Sequence, residues 1–142
     1  MDPCSLVTAA DLDKAMGISL GKARPEDPVI GEARDCRFGR TIAPLVNIGV
    51  RREPIGKGEL EPFVERFAQD RPVEAEIREL SGLGEEAYAV ILEAPEQTPI
   101  SQATVFVRSR TVLLSVSLNL EGSGEAALEA ASSIAGAAVD RL

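Results

Sequence analysis

Thr111-Val112-Leu113-Leu114-Ser115-Val116-Ser117-Leu118-Asn119-Leu120 alternates apolar and polar side chains, the period-2 signature of a strand with one buried face. Val112, Leu114, Val116, Leu118 and Leu120 fall on one side, and Ser115, Ser117 and Asn119 on the other. A second strand, expected over 42–51, repeats the pattern: Val46, Ile48 and Val50 share a face, leaving Leu45, Asn47 and Gly49 opposite. Pro44, without an N–H for the ladder, suits an edge or a strand start there.

Outward from these two stretches the chain reads as two similar halves. Phe38, Val46-x-Ile48-x-Val50 and Gly58-Glu59 correspond to Phe106, Leu114-x-Val116-x-Leu118 and Gly124-Glu125, with the strand positions offset by 68 residues and the helix starts by 66. Strand–Gly–helix is a common unit, so the repeat is a weaker sign than the alternation itself. Each half supplies a hairpin and an apolar-faced helix, and neither could bury its sheet alone. The expected fold is therefore α+β: one antiparallel sheet with helices packed on one face, in a pseudo-duplicated helix-grip arrangement.

Three helices are expected. In the first, Thr8 suits the N-cap, Asp11 the capping-box position, Val7 with Leu12 a hydrophobic staple, and Gly17 the terminator. The second, 59–69, places Leu60, Phe63, Val64 and Phe67 at i, i+3, i+4, i+7 spacing, with Pro62 tolerable in its first turn; both Phe read as core anchors. The third, 124–141, is capped by Ser123 and buries Leu128, Ala131, Ala135, Ala138 and Leu142, with Ile134 and Val139. Gly21, Pro25, Pro28 and Gly31 make 18–35 mostly loop with one irregular edge strand. Further strands are expected at 36–38, around Val73, Ala75 and Ile77, at 86–94, and at 103–108, the last joined to 111–120 through Ser109-Arg110.

The whole chain of 142 residues fits one domain, residues 1–142. Its 44% hydrophobic content and mean hydropathy of +0.02 argue against general disorder. A net charge of −8 disfavours nucleic acid and anionic membrane surfaces. The charge is uneven: 11 Lys/Arg face 12 Asp/Glu up to residue 71, and 4 face 11 thereafter. Arg51, Arg52 and Lys57 form a small basic cluster that reads as solvated strand-end charge. No apolar run approaches a membrane span, and no signal segment precedes the domain. Met1 followed directly by Asp2 and Pro3 looks like a start codon attached to a fragment of an exported precursor.

Cys4 and Cys36 are the only cysteines and there is no His. Two reduced, buried thiols are one reading. The other is a disulfide, favoured by the polar context of each cysteine, closing a loop of about 32 residues and worth about 3–4 kcal/mol. Two thiols without His make a poor metal site, and no metal or cofactor is expected. His-based triads are excluded, and nucleophile-elbow, P-loop, Rossmann and calcium-loop patterns are missing. Three acid pairs remain for general acid–base work, Asp11 with Asp13, Glu74 with Glu76 and Glu85 with Glu86, but they need environments that separate their pKa values. No catalytic residue is assigned.

Cys4-Ser5-Leu6-Val7-Thr8-Ala9-Ala10-Asp11-Leu12, then Gly17, Cys36-Arg37-Phe38, Leu83-Gly84-Glu85-Glu86-Ala87-Tyr88 and an Ala-rich final helix resemble, in that order, actinobacterial secreted or lipid-anchored proteins of the DUF3558 type, and related extracytoplasmic sensor-like domains. The likeness spans nearly the whole chain, through short motifs specific mainly in combination. It implies an exported domain, secreted or tethered to the cell membrane or envelope, with a lipid anchor in the full-length precursor as one mode of attachment and Cys4 paired with Cys36. It implies no catalytic residue and no cofactor.

The leading functional expectation is a non-enzymatic cell-envelope module that binds a small polar ligand or an envelope protein. Its candidate surface is the polar sheet face bearing Asn47, Ser115, Ser117 and Asn119, beside Gly49, whose short side chains leave room for a ligand. Ordinary solvated strand residues are the plain alternative. A small carboxylate-dependent hydrolase or isomerase, and a structural spacer, are the competing functions.

Overall fold

The computed structural model describes residues 2–26, 34–51, 55–71, 74–95, 99–110 and 112–142; the readings placed on Pro28, Gly31, Arg52, Val73 and Thr111 lie outside them. Seven strands form one antiparallel sheet: β1 (Arg24–Glu26), β2 (Arg34–Gly39), β3 (Leu45–Arg51), β4 (Glu76–Leu80), β5 (Glu86–Leu92), β6 (Ile100–Ser109) and β7 (Val112–Glu121), in the order β1-β2-β3-β7-β6-β5-β4. The two stretches that decide the fold are central neighbours. Ile48 lies opposite Val116, Val46 opposite Leu118 and Val50 opposite Leu114. That register is what a local twofold through the Ile48–Val116 pair requires, so β3 and β7 of the internal repeat correspond geometrically, whereas Phe38, opposite Val46 in the main core, and Phe106, opposite Ser115 on the other face, do not.

The apolar sides of β3 and β7 point to one face, where Val46, Ile48, Val50, Leu114, Val116 and Leu118 join Val105, Val107, Ala87, Ala89 and Ile91 in the main core. Helix α3 (Gly124–Val139) lies across it through Ala127, Leu128, Ala130, Ala131, Ile134, Ala135 and Ala138, all buried. The small side chains let helix and sheet approach closely, and Gly124 marks the nearest point: a Cβ there would run into Glu93 and Ile91. The helix stops at Val139, two residues short of the expected end, which leaves Arg141 to donate to Leu6 O (3.1 Å) and to the Asp11 carboxylate (2.7 Å).

Helix α1 (Ala9–Met16) packs on the same side, with its N-terminus built as the sequence indicates. Thr8 Oγ1 accepts from the Asp11 N–H (3.1 Å), Asp11 Oδ2 accepts from the Thr8 N–H (2.8 Å), and Gly17 closes the helix at φ 74°. A 3-10 turn, Pro3–Ser5, precedes it. Here Cys4 is joined to Cys36 of β2, Cα to Cα 5.2 Å, pinning the N-terminal segment to the sheet. The bond to the Thr8 N–H, together with Arg141, holds the Asp11 carboxyl below its ordinary pKa, against partial burial that pushes it up. A carboxyl with a depressed folded pKa contributes stability above its unfolded value, 3.8, and that contribution is lost as pH falls toward the folded value. Asp11→Asn is expected to cost about 1 kcal/mol at neutral pH, the worth of a helix cap. It is also expected to flatten the acid limb of stability, measured by urea unfolding between about pH 5 and pH 2. An unchanged acid limb would assign that limb to other carboxyls.

Helix α2 (Leu60–Gln69) corrects the expected one-faced arrangement. Leu60 and Val64 pack with Phe63 and Phe67 on Val90, Phe106 and Leu113, which alternate with the core residues and so face the other side of the sheet. The two helices of the repeat thus grip opposite faces, and the twofold stops at the strands. The cause is an apolar patch within the expected polar face: Val90, Phe106 and Leu113 occupy that face of β5, β6 and β7 and would otherwise meet water. Phe106 receives the edges of Phe63 and Phe67 at centroid distances of 5.5 and 4.9 Å. The β6–β7 turn is also displaced by one residue. Ser109 pairs with Val112, so Ser109 belongs to β6 rather than to the connection, which begins at Arg110 (φ 56°).

Candidate functional site

Because α2 lies over β4 and β5 and meets β6 and β7 at Phe106 and Leu113, the polar residues of β2, β3 and β7 stay open beside it. Cross-strand rows run across this surface. Asp35 is opposite Gly49, Gly49 opposite Ser115, and Ser115 opposite Phe106; one step along, Arg37 is opposite Asn47, Asn47 opposite Ser117, and Ser117 opposite Thr104. Polar and apolar halves therefore meet at the β7–β6 boundary. Asp35, Asn47, Arg51, Thr104, Ser115 and Ser117, with Phe63, Phe67, Phe106 and Leu113 as the apolar wall, enclose a groove of 190 Å³.

The groove's polar groups are unevenly satisfied. Thr104 Oγ1 and Ser117 Oγ share a hydrogen bond of 3.0 Å, which lets Thr104, almost wholly buried, sit in the sheet. Asn47 Oδ1 is buried and accepts no hydrogen bond from the described residues, an arrangement that costs about 1–3 kcal/mol unless something donates to it. Neither Asp35 nor Arg51 has an ion-pair partner among the described residues. Gly49 keeps the floor low. A Cβ at this position would lie 2.6 Å from Ser115 Oγ and 2.8 Å from Asp35 Oδ1.

Of the residues singled out in the sequence, Asn47, Ser115 and Ser117 come together here, half-buried rather than sealed beneath a helix, while Gly49 is buried under Asp35 and Ser115. Asn119 does not join them. It pairs with Leu45 at the end of β3, and its Nδ2 donates to Ile42 O at 3.1 Å, so it braces the β2–β3 turn. Asp35, Arg51 and Thr104 join the groove, a grouping with Asn47 that strand register alone reveals. Phe63 and Phe67 do anchor α2, yet their rings stay partly exposed and form the groove wall.

The three acid pairs do not converge. Asp11 caps α1, while Asp13 is exposed on it. Glu85 and Glu86 both hold Arg108, at 2.5 and 2.9 Å; the Arg108 hydrogen bond, aided by the Gly58 N–H, keeps the Glu86 pKa low despite partial desolvation. Glu74 and Glu76 border a depression of 410 Å³ with Glu93 and Glu125, but Arg78 bridges Glu76 and Glu125 (each 2.6 Å) and Glu93 accepts from the Gly124 N–H at the start of α3. Acids here complement a helix N-terminus. On the α2 side, burial and then the Glu61 carboxylate, 3.0 Å away, push the Tyr88 hydroxyl up to about 12. Among the described residues, no group of three or more acids or cysteines is arranged to hold a metal ion, and no helix is long and apolar enough to cross a membrane.

A larger cavity of 680 Å³ lies at the end of the sheet, between the segment after α1 (Ile18, Leu20) and the β2–β3 turn (Arg40, Pro44). Ile18 is half exposed there. Its charged groups, Arg40 and Glu121, are solvated and it contains no buried unsatisfied atom among the described residues, so the smaller groove carries the functional reading. No family model, curated protein or solved structure matches the chain.

Proposed function

We propose that this protein is a non-enzymatic binding module, working outside the cytoplasm, whose sheet-face groove takes a small polar ligand. The carrying observation is Asn47 Oδ1: a buried acceptor without a donor, at the edge of a groove with further polar groups and an aromatic wall. Sites for small molecules commonly combine an apolar lining with a few placed polar groups. A concave groove of 190 Å³ suits a small molecule better than the flat, extended surface a protein partner needs. The extracytoplasmic setting is supported by the Cys4–Cys36 disulfide, a bond that persists in oxidising compartments, and by the resemblance to DUF3558-type proteins.

Gly49→Ala tests the site. The new methyl must displace Ser115 Oγ and Asp35 Oδ1, both ends of side chains that can move, so the fold should survive with stability changed by no more than about 1 kcal/mol. Screening amino acids, sugars and polyols by amide chemical shifts should find a ligand that moves Asn47, Gly49, Ser115 and Ser117 in the native protein, with binding lost in Gly49→Ala. If no compound perturbs these amides, or if the variant binds as well as the parent, the groove is not the ligand site.

A further inference from the structure

Resting on that reading of the groove, we infer its ligand class: a compact zwitterion of amino-acid size, with its ammonium at Asp35 and Asn47, its carboxylate at Arg51, and an apolar group against Phe63 and Phe67. Two opposite charges line the groove without a salt bridge to each other or to any described residue. Asp35 is the cross-strand partner of Gly49, and Arg51 lies two residues further along the same strand. Such diagonal neighbours have backbones about 7–8 Å apart, close enough for long side chains to meet. Between them Gly49 contributes no side chain, and the Asp35 carboxylate and the Ser115 hydroxyl lean over its backbone, so both polar heads are presented along the groove that Asn47 and Arg51 also line.

The hydrogen-bond inventory fits the same assignment. An ammonium has three donors and no acceptor. The groove offers the Asp35 carboxylate, the Asn47 Oδ1 that has no donor among the described residues, and the Ser115 hydroxyl, carried on three adjacent strands. A guanidinium forks onto a carboxylate through two parallel N–H donors, a role open to Arg51. The volume is of the right order. Since a water takes about 30 Å³ of liquid, 190 Å³ holds roughly six, about the bulk of a small amino acid. A neutral sugar would leave both charges unanswered.

The test compares L-alanine, L-leucine and L-glutamine with their N-acetyl and amide derivatives, using glucose as the neutral polar probe and amide shifts of the oxidised, full-length chain as the readout. Shifts at Asn47, Gly49 and Ser115 are expected with at least one free amino acid. Its N-acetyl and amide forms should each bind about tenfold more weakly or worse, the cost of one charge-assisted contact. Asp35→Asn should weaken the amino acid while leaving the N-acetyl form unchanged. Arg51→Gln should weaken the amino acid while leaving the amide form unchanged. Derivatives that bind as well as the parent amino acid, or glucose moving the same amides as strongly, would overturn the zwitterion assignment while leaving a polar ligand site standing. Silence of these amides with every probe would remove both.

Discussion

Phe106→Ala is expected to lower unfolding free energy by about 3–5 kcal/mol, as for a large aromatic removed from a packed site, and to loosen α2 before the rest of the molecule. Phe106 is almost fully buried and is the sheet residue on which both aromatic side chains of α2 rest. Among the described residues the cluster beneath α2 has five buried members, Leu60, Val64, Val90, Phe106 and Leu113, so one loss removes a large share of what holds the helix. The main core lies on the other face and loses nothing directly. Tyr88, the only tyrosine in a chain without tryptophan, donates to Glu61 of α2, so its fluorescence reports on helix docking. In urea, the Tyr88 signal of the variant should change at lower denaturant than the far-ultraviolet circular dichroism. Coincident transitions would show that α2 and the sheet unfold as one unit. The same substitution removes part of the groove wall, and ligand binding should fall with it.

Replacing both cysteines with alanine is expected to cost about 2–5 kcal/mol. The bond closes a loop spanning a sequence separation of 32 residues and restricts the unfolded chain. In the native state it fastens the segment that leads into α1. Cys36 is fully buried against Leu6, Val7 and Leu12, which makes alanine a better replacement than serine, whose hydroxyl would lack a partner. Calorimetry of the variant should show a lower midpoint, by roughly 4–8 °C for each kcal/mol lost in a domain somewhat smaller than this one. Intact mass without reductant provides the direct control. Two free thiols in the unfolded, unreduced protein would show that the bond is not formed, and an unchanged midpoint would show that it does not stabilise.

Particular residues show how far the sequence could be read. The capping box of Thr8 and Asp11 and the Gly17 stop are contacts within a few residues, so their chemistry was visible in order along the chain. The strands around Val46 and Val116 were legible because side chains alternate across a sheet whatever pairs with them. The face chosen by α2 was not. A stripe of Leu60, Phe63, Val64 and Phe67 announces that a helix will bury one side without saying against which surface. Val90, Phe106 and Leu113 lie 30 to 53 residues beyond Leu60 in the chain and become a patch only when three strands are set in register. Asn119 shows the same limit from the other side. Its polar alternation with Ser115 and Ser117 was read correctly, but the end of the β2–β3 turn claims its amide.

For this protein the sequence by itself determined which residues face together along each strand and helix, where α1 begins and ends, and which side of β3 and β7 is polar. All of these follow from local periodicity and short-range hydrogen bonding. Only the tertiary structure decided that α2 would lie opposite α1 and α3, and that Asp35, Asn47 and Arg51 would meet across a glycine floor beside two phenylalanines. Those outcomes depend on pairing register and on which apolar patch remains uncovered, quantities that exist only once distant strands have come together.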